Sequence, residues 1–149
     1  IENTVNQNFA GAGIAKFVAG KAWATADKNT KTNYIKFFKH HLALNIASMM
    51  KGYSNQKYSL INSKHDNTNN VYLIDMKIVD DTKKIIITWR VKESKNRFYI
   101  IDLLVADISL VITKRSEFNS MLKKTDYDLK VFNEILKKQN ESSYNKLIQ

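Results

Sequence analysis

The chain contains no cysteine and no proline, only four glycines in 149 residues, and three arginines against 21 lysines. Without cysteine there are no disulfides, no thiolate nucleophile and no cysteine-based zinc site, and the redox compartment stays open. Without proline, turns fall to Gly, Asn, Asp and Ser. No apolar stretch approaches the ~18 residues that a membrane-spanning helix needs. The scarcity of arginine removes the planar fork that grips phosphate and guanine in two places at once. The net charge of +10 is therefore not read as a nucleic-acid footprint, and no nucleic-acid partner is expected. Lys, Asn and Ile together number 53, all residues with AT-rich codons, so codon bias supplies part of the charge.

The charge is unevenly placed. Residues 1–65 carry nine Lys against Glu2 and Asp27, a net of +7; residues 66–149 contribute only +3. A basic first half suits anionic lipid head groups or an acidic partner, and equally the solvated surface of a lysine-rich protein. Hydrophobic residues at 44% and aromatics at 11% are globular values. The length suits one domain, and with no internal repeat, low-complexity tract or linker, residues 1–149 are expected to form a single domain. The chain begins at Ile1, so a leader segment is expected to have been removed.

Two regimes of periodicity divide the sequence. Residues 8–52 read as helical, with Phe9, Ile14, Phe17, Val18 and Trp23 at spacings of three to five. A second helix is expected from Asn29 or Thr30, which are good N-caps, and to end at Gly52, a C-cap glycine. Its apolar stripe, from Tyr34 to Met50, is too wide for a one-sided surface helix. From Lys57 the period becomes two. Four strands with polar turns at 66–70, 80–83 and 93–96 predict an antiparallel meander over 57–106. Helical spacing returns over 109–140, and the polar residues from Glu141 read as a frayed end. The fold class is therefore α+β, a curved four-stranded antiparallel sheet with helices packed on one face plus a helical part.

Catalytic and metal chemistry find little support. Gly11–Ala12–Gly13 follows no strand and lacks the Lys and Ser/Thr of a phosphate loop. His40 and His41 are adjacent on a helix and point about 100° apart, so they do not form a metal-ligating pair; no metal site is expected. No G-x-S-x-G occurs. Asp102 stands alone in an otherwise apolar strand. A carboxyl in apolar surroundings is a candidate general base; the plainer reading is that it accepts backbone N–H bonds near Ser109 and ties strand to helix. Wide apolar faces and four methionines, Met49, Met50, Met76 and Met121, suggest more apolar interior than the strands alone use.

Several stretches carry a family resemblance. Phe9–Ala10–Gly11 and Val18–Ala19–Gly20–Lys21–Ala22–Trp23 match an early signature, and Tyr34, Phe38 and Leu42 an aromatic-rich helix. Phe98–Tyr99–Ile100–Ile101–Asp102–Leu103, then Ile108–Ser109–Leu110, then Arg115, Phe118 and Leu122 match a late block, with Asp107 in place of that block's glycine. In the order and spacing of these stretches the chain resembles the MlaC family of periplasmic phospholipid carriers. The resemblance implies a cone like that of nuclear-transport-factor or cystatin folds, and an apolar cavity between sheet and helices that holds acyl chains with the head group in water. It also implies a phospholipid cargo, shuttled between an inner-membrane MCE-domain/ABC transporter complex and an outer-membrane lipoprotein complex to maintain outer-membrane lipid asymmetry. The expected location is the periplasm, with no catalytic residue, no cofactor beyond the cargo, and a monomer. The apolar register assigns Tyr72, Ile74, Met76, Ile87, Trp89, Val91, Phe98, Ile100 and Leu104 to the lipid-binding wall from the strands, and Phe38, Leu42, Met49, Phe118 and Leu122 from the helices. A one-residue slip would turn every strand side chain to the other face. The alternative is an enzyme on the same cone, isomerase- or dehydratase-like, acting on an apolar substrate with Asp102 as base.

Overall fold

A computed structural model describes residues 2–51, 56–79 and 83–149 of the chain. The expected C-cap Gly52 and the turn residues 80–82 lie outside the described residues. Four helices open the chain: α1 (Glu2–Asn8), which lies almost wholly ahead of the helical stretch expected over 8–52, and α2 (Gly11–Ala19), α3 (Lys21–Ala24) and α4 (Lys28–Met50), which make three where two helices are expected. The first break has a tertiary cause. Phe9 bridges to Ile100, and Ala10 N–H donates to the Ile100 carbonyl at 2.9 Å, so this link runs along the sheet instead of continuing a helix. The second break is at Gly20, whose φ of +57° with ψ of −132° is a conformation that favours glycine. Helix α4 begins two to three residues earlier than expected: Asp27, not Asn29 or Thr30, is its N-cap, accepting from Thr30 N–H at 2.7 Å. That bond is also the main reason the Asp27 carboxyl is held below its usual pKa.

The sheet is antiparallel and ordered β1 (Lys57–Asp66), β2 (Val71–Val79), β3 (Lys84–Ser94), β4 (Arg97–Val105), β5 (Ile108–Ser109). The α+β class and the four-strand meander agree with the sequence reading; the fifth strand is an addition of two residues. It closes a tight hairpin in which Leu104 pairs with Ser109 and both turn residues, Ala106 and Asp107, have left-handed φ of 49° and 66°. Two bulges bend the sheet. Ile61 is skipped between β1 and β2, and Ile101 between β3 and β4. A bulged strand bends and gains twist, which gives the sheet its concave face.

Helices α5 (Leu110–Lys123) and α6 (Leu129–Leu147) complete the chain. Helix α6 runs on past Glu141 because it lies beside α4 in register. Asn133 Nδ2 donates to the Thr30 carbonyl and Asn140 Nδ2 to the Phe37 carbonyl, at 3.2 and 2.9 Å. One heptad further, Leu44 and Leu147 line the same small cleft. Both partners advance by seven in the same direction, so the two helices are parallel. Burial is divided between two clusters. A large one fills the space among the helices, where Tyr34, Phe38, Phe118, Phe132 and Leu136 are fully buried. A small one of Ile78, Ile87 and Leu103 lies on the sheet, and Trp89 and Leu110 pack against both.

Candidate functional site

A cavity of about 650 Å³ opens between the concave face of the sheet, helix α1 and the last turns of α4. Alternation along β2 and β3 aims Met76, Ile78, Ile87 and Trp89 into it, since Met76 pairs with Ile87 and Ile78 with Ile85 across one face. On β4 the bulge at Ile101 changes the phase, so Ile100 and Leu103, three residues apart, both line the cavity. Helix α4 contributes Ile46, Met49 and Met50 at helical spacing, and the opposite wall is Thr4, Val5, Asn8 and Phe9. Gln56 and Tyr58 stand at the start of β1. Among the described lining residues none is charged and Tyr58 alone carries a titratable group. Such a site can solvate a long apolar body and orient a polar end with Thr4, Asn8 and Gln56; it offers no acid–base pair. Its volume falls within the ~300–1,000 Å³ of small-molecule sites.

Of the residues assigned to this wall from sequence, Met49, Met76, Ile87, Trp89 and Ile100 line the cavity. The others do not. Tyr72, Ile74, Val91 and Phe98 share the concave face but lie farther along it. There Tyr72 stacks on His65 at 4.1 Å and meets the Phe98 ring edge-on at 5.7 Å. Leu104 pairs with Thr88 and so sits on the opposite face, moved there by the bulge. Phe38, Leu42, Phe118 and Leu122 belong to the solid helical core; Phe38 and Phe118 pack ring to ring at 5.8 Å, and Phe118 and Phe132 at 5.1 Å. The missed lining from α1 had only a weak signal, since Val5 and Phe9 stand in an otherwise polar segment. Leu103 needed knowledge of the bulge.

Asp102 does not line the cavity. Its carboxylate accepts from Leu103 N–H at 2.7 Å, from Val111 N–H at 3.1 Å and from the Ser109 hydroxyl, with an Arg90 guanidinium nitrogen at 4.0 Å. Ser109 Oγ in turn caps α5 by accepting from Ile112 N–H at 3.0 Å. Strand β4, the hairpin and α5 are tied at this one carboxylate, and no free oxygen faces a substrate space. The enzyme alternative with Asp102 as base loses its geometric support. Of the histidines, burial in the helical core, with Lys114 nearby, depresses His41 to about 4. His40 Nδ1 meets Glu2 at 3.1 Å. Among the described residues, no three His, Asp or Glu side chains are grouped to hold a metal ion, and no helix is long and apolar enough to cross a membrane.

Comparison with known proteins agrees with this architecture. No curated protein matches the chain. A phospholipid-binding protein from Ralstonia solanacearum, solved in complex with a phospholipid, has a similar fold: TM-score 0.79 at 14% identity, covering 97% of this chain and 84% of that one. The MlaC protein family matches residues 1–140. With that match spanning the cavity walls, the bulged sheet and the Asp102 tie alike, the chain belongs to the MlaC family.

Proposed function

We propose that the chain is a phospholipid carrier that holds acyl chains in the 650 Å³ cavity with the head group at its mouth. The observation that carries this reading is an apolar cavity without a charged residue among its described lining. Burying two acyl chains of about 30 methylenes yields roughly 24 kcal/mol at about 0.8 each. A bilayer offers the same gain. The carrier therefore needs only to match the membrane, and an apolar wall with few polar groups suffices. Membership of the family and the phospholipid seen in the Ralstonia protein support the same cargo. On this reading the lipid is the only bound molecule required. The carrier works in the periplasm between an inner-membrane MCE-domain/ABC transporter complex and an outer-membrane lipoprotein complex, with the helical part, meander and C-terminal helices acting as one unit.

The test is native mass spectrometry of the purified chain after incubation with phospholipid vesicles. The expected result is one phospholipid per chain, lost in a variant whose cavity is filled. A wild-type chain that carries none would reject the reading.

A further inference from the structure

The cavity opens beside residues that a water-facing rim does not call for. Met50 and Tyr58, which line the mouth, are 58% and 71% exposed, and Leu60, on the same face of β1, is 69% exposed. The bulge at Ile61 leaves a fourth large apolar side chain exposed beside them. Exposed lysines flank this edge: Lys51 at the end of α4, and on β1 Lys57 and Lys64, which pair with Val79 and Leu73 and so project from the opposite face of the same edge strand, Lys64 toward its far end. Among the described residues of the rim, 49–51 and 56–66, the only carboxylate is Asp66. It is already engaged by Thr68 N–H and Asn69 Nδ2 at 3.0 and 3.1 Å. The strand on which most of these residues sit is the free edge of the sheet, exposed over all ten residues.

We propose, on the carrier reading above, that this rim seats on the surface of an anionic bilayer, with Met50, Tyr58 and Leu60 entering the headgroup layer and Lys51, Lys57 and Lys64 facing lipid phosphates. Three features favour a fluid lipid surface over a fixed protein surface. The apolar tips are few and protrude into water rather than forming a packed flat patch, and Tyr in particular suits the membrane–water boundary. The cations are all lysine, a compact point charge that makes no demand on the geometry of its partner, whereas fixed polar partners favour arginine. The rim is continuous with the cavity mouth, so seating it would bring the cargo's exit against lipid and spare the acyl chains a passage through water. With the edge of β1 laid on the surface, apolar tips on one side and lysines on the other combine shallow apolar insertion with attraction to anionic lipid, the general design of interfacial membrane binding. Each lysine near such a surface strengthens binding by about fivefold.

The test is vesicle co-sedimentation of the full chain with neutral phosphatidylcholine vesicles and with vesicles containing anionic phosphatidylglycerol, at about 0.05 M and about 0.3 M salt, above which screening is strong. Three variants accompany the wild type. One removes the rim charges (Lys51→Gln, Lys57→Gln, Lys64→Gln). One removes the same charge from exposed helical sites (Lys28→Gln, Lys36→Gln, Lys138→Gln). One removes an apolar tip (Leu60→Ser). The expected results are binding to anionic vesicles that weakens with salt, a loss of about 100-fold in the rim variant, a loss of about tenfold for Leu60→Ser, and at most a few-fold loss in the helical variant. Equal losses in the rim and helical variants would reduce the effect to net charge and overturn the proposal. So would a wild type that ignores anionic vesicles, which would leave the rim to a protein partner. Phospholipid content, read by mass spectrometry on the same samples, separates the two readings. A rim variant that keeps its lipid but leaves the vesicle supports the docking surface. A wild type that binds vesicles yet carries no lipid defeats the carrier reading and leaves the docking surface standing.

Discussion

Removing the Asp102 carboxylate should be among the most destabilising single changes on the sheet, and its magnitude follows from who is left without a partner. In Asp102→Ala the N–H groups of Leu103 and Val111, both on buried residues, lose their acceptor, at about 1–3 kcal/mol each. The Ser109 hydroxyl can turn to water, and the half-exposed Arg90 at 4.0 Å adds little, as surface ion pairs do. The expected loss is about 4 kcal/mol, a large part of the ~5–15 kcal/mol that holds a domain folded. Asp102→Asn keeps one oxygen for both N–H groups and presents an amide that Ser109 Oγ can accept, so about 1 kcal/mol should be lost. Urea unfolding measures both: with a slope of about 2 kcal/mol/M, the alanine variant should shift the midpoint by ~2 M and the asparagine variant by ~0.5 M, with the slope unchanged. Equal losses in the two variants, or a loss below about 1 kcal/mol for alanine, would refute the claim that this acceptor ties β4 to α5.

His41 packs 5.3 Å from the Phe118 ring and has its pKa depressed by burial to about 4. The unfolded chain takes up a proton near 6.5 while the folded one stays neutral, so stability should fall as pH drops from about 6.5 to about 4. The loss is on the order of 3 kcal/mol, and His41→Gln should flatten that part of the curve. Met76→Trp should displace bound phospholipid with little loss of stability, because its side chain faces the cavity. Leu122→Trp, in the solid core, should cost at least about 1–3 kcal/mol by overpacking and leave the cavity wall intact; lipid content and urea midpoints distinguish them. Ala106→Gly should stabilise by about 0.5–1 kcal/mol, since a left-handed alanine costs ~1–2 kcal/mol and the added freedom of glycine offsets part of the gain. A thermal scan should show a melting temperature raised by about 1–3 °C.

The strands were legible because their information is local. Tyr72 to Ile78 and Ile85 to Val91 alternate between polar turns, apart from Leu73 and Ile86, and such a pattern marks the strands and their inward face. What lay beyond the sequence depends on residues far apart. The bulge at Ile101 is a mismatch between two strands and leaves no mark in either, yet it exchanges Leu103 for Leu104 on the cavity wall. Phe38, Leu42, Phe118 and Leu122 read as apolar and inward, as they are; hydrophobicity cannot tell a filled interior from a hollow one. The Phe9–Ala10 break answers to Ile100, ninety residues on. Helix α6 outlasts its polar pattern because its partner, α4, supplies the apolar contact that Glu141 to Leu147 lacks on its own. Asp27 is different: an Asp one residue before a helix is a local signal, and it was available.

On the carrier reading proposed above, the division of the apolar interior into two clusters has a consequence for how the emptied chain behaves. The helical cluster is large, with Val5, Phe9 and Ile46 alone of its buried members turned to the cavity, whereas among the described residues the one on the sheet has three buried members, Ile78, Ile87 and Leu103, too few to brace five strands. A guest in the gap would touch both and extend the bridge that Trp89 and Leu110 already make, supplying from outside the chain the apolar mass that the sequence omits. Loading would then act as the last step of folding for the sheet, with the stability it confers set by lipid availability and not by the chain alone. Backbone amides of β2 and β3 should accordingly exchange hydrogen faster once lipid is stripped, while those of α4 and α6 keep their protection. Delivery of the cargo would be felt as a softening of one wall, which eases the next acyl chain in.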